Sequence, residues 1–317
     1  MRAIEPTLRA IQWVRHLHHR IDVAPTLKLI TSHPLNRHRR VRALARYFSW
    51  QVGSRLLGAP VVFPWINETR FSVRAGDKGM TGNLYCGLHE YSEMAFVLQA
   101  TRPDDLFVDV GANVGAYTLL ACGVAGARGI AIEPVPSSFS KLMDNLRLND
   151  LTGRVRALNV AAGAARGITR FTSDLDTTNH VVDGRSAGSS ETEIDVQVYT
   201  LDELLDGARA SIMKMDVEGY ELHVIEGAHN TLRQADAIIV ELNGSGNLYG
   251  HPDSHVVERL HNLGFAPYRY IPKERRLVSL DVAALGHPTN GIFVRDLDSI
   301  GKALARPLRY KVNGVEV

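Results

Sequence analysis

From residue 106 onward, short apolar runs alternate with longer stretches in which apolar residues recur every three or four positions. Leu106–Val110 is an apolar run interrupted by Asp109 and closed by Gly111, and residues 114–125 carry an apolar pattern of helical length. The rhythm continues with strands at 129–133, 155–160, 212–216 and 237–241, and with helices at 136–149, 218–228 and 254–263. Continuous apolar strands alternating with helices predict a parallel sheet covered on both faces. The last two strands, 265–270 and 291–294, have no helix-length apolar pattern between them, so an antiparallel edge strand is expected there. The polar segment 163–200 breaks the alternation, with strands at 169–172 and 194–199 around a loop rich in Ser, Thr, Asp and Gly.

Ahead of this pattern, Ile11, Val14, Leu17 and Ile21 recur at helical spacing, and Pro25 and Pro34 interrupt it. Residues 61–66 and 69–73 read as strands flanking an Asn67-Glu68 turn, followed by a glycine-rich stretch to Gly82. The chain thus divides into a basic helical extension (1–57), a β-rich lead-in or lid (58–105), an alternating domain (106–297) and a tail (298–317). Residues 1–57 hold eleven Lys or Arg against Glu5 and Asp22, a charge of +9, so with +2 overall the remainder carries −7. A segment of that sign suits a solvated helical face, nucleic acid, an acidic partner or an anionic membrane surface. Two cysteines, Cys86 and Cys122, make no disulfide framework and suit a reducing compartment. No apolar run approaches the roughly 20 residues of a membrane span, and no secretory signal is recognisable, so a cytoplasmic location is expected.

The turn after the first strand points to a nucleoside. Its glycines are spaced Gly111-x-x-x-Gly115, without the close Gly-x-Gly pair that admits a pyrophosphate. A nicotinamide-dependent oxidoreductase on a Rossmann fold, the main alternative, is therefore disfavoured. Glu133 ends the second strand, where a carboxylate can accept from both ribose hydroxyls. Asp109, Asp216 and Glu241 end the first, fourth and fifth strands, at the edge where open α/β sheets bind ligands.

Asp-Val-Gly-Ala-Asn-Val-Gly (109–115), Glu133-Pro134, Asn145 and Asn149, Asn159-Val160-Ala161, Thr200-Leu201-Asp202, Lys214-Met-Asp-Val-Glu-Gly219 and Asn290-Gly-Ile-Phe-Val294 follow one another in that order. Gly87-Leu88-His89-Glu90 precedes them. Over roughly residues 85–296 the chain resembles the FkbM family of S-adenosylmethionine-dependent methyltransferases. The resemblance implies an α/β, Rossmann-like class I methyltransferase fold, with a seven-stranded, mostly parallel sheet and one antiparallel edge strand. It also implies O-methylation of a hydroxyl on a sugar, polyketide or related small molecule or glycan, with Asp109, Gly111, Asn113, Gly115 and Glu133 lining the S-adenosylmethionine site. Glu90, Pro134, Ala161 and Asp216 are further cofactor-site candidates.

Alcohol methylation requires alignment of an oxygen with the methyl group and removal of a proton. Asp216 and Glu218 can face one pocket from a strand-to-helix turn. Either one serves as general base, or both hold a divalent cation such as Mg2+ whose oxygen ligands Glu241 and Asn243 complete. His180, in the polar insert, is a third catalytic candidate. Glu218 also reads as an acid stabilised at a helix N-terminus. His223 reads as a packed or solvated residue, and His251, Asp253 and His255 fit no zinc spacing. RNA ribose methylation stays open as an alternative, whereas no Asn/Asp-Pro-Pro-aromatic segment follows the fourth strand to support base methylation. The insert 172–193 and residues 1–100 are expected to shape the acceptor pocket; the acceptor and a homo-oligomeric state are left open.

Overall fold

The computed structural model describes residues 23–77, 79–173, 179–182, 192–281 and 289–317. The helical spacing of Ile11 to Ile21, and most of the 172–193 insert, lie outside these residues. In chain order the strands are β1 (Val61–Pro64), β2 (Arg70–Val73), β3 (Leu106–Val110), β4 (Arg128–Ile132), β5 (Val155–Leu158), β6 (Ala161–Ala162), β7 (Gly167–Thr172), β8 (Glu193–Tyr199), β9 (Ile212–Met215), β10 (Ala237–Leu242), β11 (Ala266–Ile271), β12 (Arg276–Ser279), β13 (Thr289–Val294), β14 (Lys311–Val312) and β15 (Val315–Glu316).

One sheet has the order β12-β11-β13-β10-β9-β3-β4-β5. β5, β4, β3, β9 and β10 run parallel, as their apolar runs predict. The fold is the α/β, Rossmann-like class I arrangement, with two corrections. The sheet has eight strands rather than seven, and two strands rather than one oppose the parallel set: β13, inside between β10 and β11, and β12, at the edge. The edge is β12, which returns along β11 through a turn containing Arg275 at φ +49°. Four residues with exposed ends carry too little apolar pattern to announce such a strand.

Alternate residues of the central strands enter two cores. Phe107, Ile212 and Ile239 join the core on one face, while Val108, Val110, Met213, Met215 and Val240 join the other. The first core also takes in Ile30, Ala43, Tyr47 and Trp50 from the helices Val23–Ser32 and Arg40–Leu57, and Tyr310 and Val312 from the tail. Pro25 lies within Val23–Ser32, and Pro34 lies past its end. β1 and β2 form the expected hairpin, but the glycine-rich stretch after it ends in a helix, Thr81–Cys86. The polar insert contributes β7 and β8, which form a separate three-stranded sheet with β6.

Two local departures shape the site. The helix expected over 114–125 is one α-turn, Ala116–Thr118, continued as a π-helix, Leu119–Val124; such wide turns are frequent beside functional sites. The helix expected from Glu218 begins at Glu221. Residues 216–219 form a turn in which Glu218 (φ +52°) and Gly219 (φ +97°) are both left-handed. The Glu221 carboxylate accepts from the N–H groups of Val217 (3.1 Å) and Gly219 (3.3 Å), replacing helical partners with side-chain ones.

Gly111 has φ +77°, and a Cβ built there would lie 1.8 Å from the Asp216 carbonyl oxygen. The turn is therefore glycine because the ends of β3 and β9 approach there, joined by Asp216 N–H donating to Val110 O at 3.0 Å. Gly111→Ala should destabilise the fold by about 3 kcal/mol or more, combining left-handed strain with a backbone clash. Gly207→Ala is the control: its φ is +79° but nothing lies within 4 Å of the built Cβ, so about 1 kcal/mol is expected. Denaturant unfolding of the two variants compares them directly.

Candidate active site

The carboxyl ends of β3, β4, β9 and β10 open onto one cavity of about 490 Å3. Parallel pairing brings the ends together: the N–H groups of Gly111 and Ala112 both donate to the Ile132 carbonyl, and β9 is registered beside β3 up to Met215. Asp109, Glu133, Asp216 and Glu241 all reach its wall, with Glu90, Glu218 and Asn243. Gly111, Asn113, Pro134 and Ala161 line it as well. Gly115 does not; at φ +92° it starts the following helix, and a Cβ there would meet Leu142 Cδ1 at 2.6 Å. From the polar insert the wall receives Phe171 and Asn179. His180 is not in this wall; its backbone pairs with Thr172, whose N–H donates to His180 O (3.1 Å) and whose hydroxyl accepts from His180 N–H (3.0 Å).

Glu133 is buried, and each carboxylate oxygen accepts one backbone N–H, from Asn113 (2.8 Å) and Val135 (2.9 Å). A carboxylate has about four acceptor positions, so this leaves two for a ligand. Burial lifts its pKa to about 7 despite those two donors. Asn113 takes φ +49°, and its buried Oδ1 has no hydrogen-bond partner. A buried acceptor without a donor at the cavity wall is a place for a ligand N–H or O–H. Asp109 is fixed differently: Thr118 Oγ1 donates to it at 2.6 Å, and burial raises its pKa to about 6. It supports the turn from behind as much as it faces the cavity.

The other wall is built around Lys214, which is 1% exposed. Its ammonium donates to Asp216 Oδ2 (2.9 Å) and Asn290 Oδ1 (3.2 Å) and lies 5.4 Å from the centre of the Tyr117 ring. Asn290 in turn donates to Glu90 Oε1 (2.5 Å), and Tyr117 donates its hydroxyl proton to Glu90 Oε2 (2.6 Å). Burial opposes the lysine charge, but Asp216 and Glu90 outweigh it and hold the ammonium above its ordinary range. Burial likewise opposes ionisation of Asp216, and Lys214 with hydrogen bonds from Glu241 and Lys214 overcomes it, so Asp216 is the anion. Glu241 moves the other way, raised by burial and by Asp216, and keeps its proton in the bond to that neighbour. Glu218 is lifted to about 7 by burial, then by Asp216 and Glu221. Carboxylate oxygens of Asp216, Glu218 and Glu241 come within 4.8 Å of one another, and Asn243 donates to Glu241 Oε2 at 2.9 Å.

Lys214, Asn290 and Tyr117 were not among the sequence-level site candidates. A lysine inside Ile-Met-Lys-Met, a strand otherwise buried and apolar, was the available signal. Glu218 stands in the turn before the helix, so the dipole explanation for it does not hold. His223 stacks on the cavity-lining Tyr220 at 4.2 Å and has a T-shaped contact with His251, a packed aromatic cluster that agrees with its structural reading.

Residues 109–267 match the family described as Methyltransferase FkbM domain. Among characterised relatives, the hexuronic acid methyltransferase AglP of Haloferax volcanii is 27% identical over 157 residues, covering 49% of this chain and 62% of that protein. Methyltransferase 1 of Beauveria bassiana is 28% identical over 167 residues, covering 45% of this chain and 67% of that protein. The chain thus spans less than two thirds of the archaeal relative's length. Among solved structures, a putative rRNA methylase from Clostridium thermocellum matches 64% of this chain and 92% of its own at 11% identity, with a TM-score of 0.41. A match spanning half of the chain and centred on the strands that build this cavity leads to one statement: the chain belongs to the FkbM methyltransferase family.

Proposed function

We propose that this protein is an S-adenosylmethionine-dependent O-methyltransferase acting on a hydroxyl of a small molecule or glycan. The observation that carries the reading is the charge of the cavity. Glu90, Asp109, Glu133, Asp216, Glu218 and Glu241 face Lys214, the one Lys or Arg among its described lining residues. An acidic, partly buried wall attracts a sulfonium and repels a pyrophosphate, which opposes the nicotinamide alternative. The same field opposes a phosphodiester chain, so RNA ribose methylation is the weaker reading. Family membership supports methyl transfer, and the hexuronic acid named for the Haloferax relative supports a sugar acceptor. The compartment in this reading is the cytoplasm, supported by two unpaired, buried cysteines. Among the described residues no helix is long and apolar enough to cross a membrane.

When bound, S-adenosylmethionine supplies an electrophilic methyl group that needs no further activation. Glu133, with two acceptor positions free, would hold the ribose hydroxyls, and Asn113 Oδ1 would accept one more donor. Pro134 and Ala161 wall the same side. Glu218 removes the acceptor proton, since a carboxyl held near 7 is matched to neutral pH and borders the cavity. It takes this role ahead of His180, which the described wall does not include, and ahead of Asp216, which Lys214 makes a weak base. Asp216 instead keeps a fixed negative charge at the cavity wall. A divalent cation is the second reading, favoured by the close approach of three carboxylates. It would have to displace the Glu241 proton beside an ammonium that already balances Asp216.

Four measurements test this. Calorimetry should show Glu133→Gln weakening S-adenosylhomocysteine binding at least roughly tenfold, and an unchanged affinity, or NAD(P) binding in its place, would refute the assignment. Methyl transfer to a panel of hexoses and hexuronates should lose about 10²- to 10⁴-fold in kcat in Glu218→Gln, with donor affinity kept. In the parent enzyme kcat/KM should rise with pH up to about 7 and then level, because the base works deprotonated; the variant should lack that limb. Chelation should leave activity unchanged, whereas loss restored by Mg2+ would establish the cation reading.

A further inference from the structure

The helix Arg40–Leu57 has two apolar faces. One places Ala43, Tyr47 and Trp50 in the core, beside Arg46, whose guanidinium donates to Asn36 Oδ1 (2.9 Å) and the Tyr85 carbonyl (2.7 Å). On the opposite face Val41, Phe48, Val52 and Leu56 follow one another at intervals of seven, four and four, which keeps them on one side of an α-helix. They are 82%, 53%, 59% and 81% exposed. The stripe is about 22 Å long. Beside it, between this helix and the β1–β2 hairpin, runs an apolar groove of about 600 Å3 that includes Trp50, Leu57, Phe63 and Trp65, with Ala45 on its border. A row of exposed large apolar side chains on a polar-flanked helix marks a docking surface.

Charge selects the occupant. Residues 23–67 contain seven Lys or Arg and no Asp or Glu. Arg37, Arg39, Arg40 and Arg42 cluster at the amino end of the helix and are all exposed. A second copy of this chain would bring two such acid-free surfaces together, and residues 1–22, with four arginines against Glu5 and Asp22, carry the same sign. We propose that this face docks on an anionic lipid surface, with the apolar stripe in the headgroup–acyl boundary, the groove receiving acyl-chain carbons and the arginines against anionic headgroups. The helix Thr81–Cys86 packs against this one and supplies Asn83 to the cavity wall, so docking holds the cavity close to the lipid surface.

Cosedimentation of the full chain with vesicles tests it. It should pellet with phosphatidylglycerol/phosphatidylcholine vesicles at low salt, weaken in 0.5 M NaCl, and stay in solution with phosphatidylcholine alone. The triple variant Val41→Asp, Phe48→Asp, Val52→Asp should lose at least tenfold in partitioning. Arg37→Gln, Arg40→Gln, Arg42→Gln should lose the salt dependence. Both should keep S-adenosylhomocysteine affinity, which reports an intact fold without drawing on activity. The proposal fails if anionic vesicles leave the parent in solution, or if the apolar-face variant pellets as well as the parent. It also fails if soluble poly-glutamate binds parent and apolar-face variant alike and competes fully with vesicles, the mark of an acidic protein partner. A concentration-dependent dimer that Phe48→Asp dissociates, without vesicle binding, would assign the face to a second copy.

Discussion

An ammonium buried among carboxylates is the constraint on which the rest of the site depends. Parallel strands deliver acids to one edge of the sheet, and that arrangement is electrostatically unfavourable unless something offsets it. Lys214 does so from within β9, where it is almost fully buried. Its charge fixes Asp216 as the anion, which leaves the neighbouring Glu241 protonated and Glu218 poised between states. Removing the ammonium would leave these acids to protonate one after another, and the cavity would lose the negative field that a cationic donor requires.

The position of β13 explains how that ammonium is satisfied. Had β13 been the edge strand, Asn290 would lie far from β9. Inserted next to β10, β13 brings Asn290 to Lys214 and Glu90 at once. The chain segment before β3, the short α-turn after it, β9 and β13 thus meet through polar side chains rather than apolar packing. Glu90, Tyr117, Asn290 and Lys214 each complete a partner's hydrogen bonding, so the network is satisfied as a unit.

The strand–helix alternation and the acids at strand ends were legible because burial on both faces and the ligand edge each leave a residue-by-residue trace. Asp109, Glu133, Asp216 and Glu241 arrive together for that reason. Lys214 was not legible as a site residue because its role depends on neighbours from three distant segments. β12 escaped because four half-exposed residues carry no period. Glu218 was misplaced onto a helix because nothing in Asp-Val-Glu-Gly shows that the Glu221 side chain, rather than the backbone, would satisfy the turn. Gly111 lines the cavity, and the structure adds a constraint that the glycine spacing does not show: the Asp216 carbonyl oxygen leaves no room for a Cβ there.

The shared core has a consequence for how the chain is made. Ile30 and Trp50 belong to the same apolar cluster as Tyr310 and Val312, and Arg39 donates to the Asn313 carbonyl across 274 positions of sequence. On a ribosome these two helices emerge long before residues 310–313, their most distant partners in sequence. Contacts of such separation form late, after the loop between them has been closed. The inward face of Arg40–Leu57 meets its nearby partners Phe63 and Tyr85 early, but its closure against Tyr310 and Val312 waits until those residues are made.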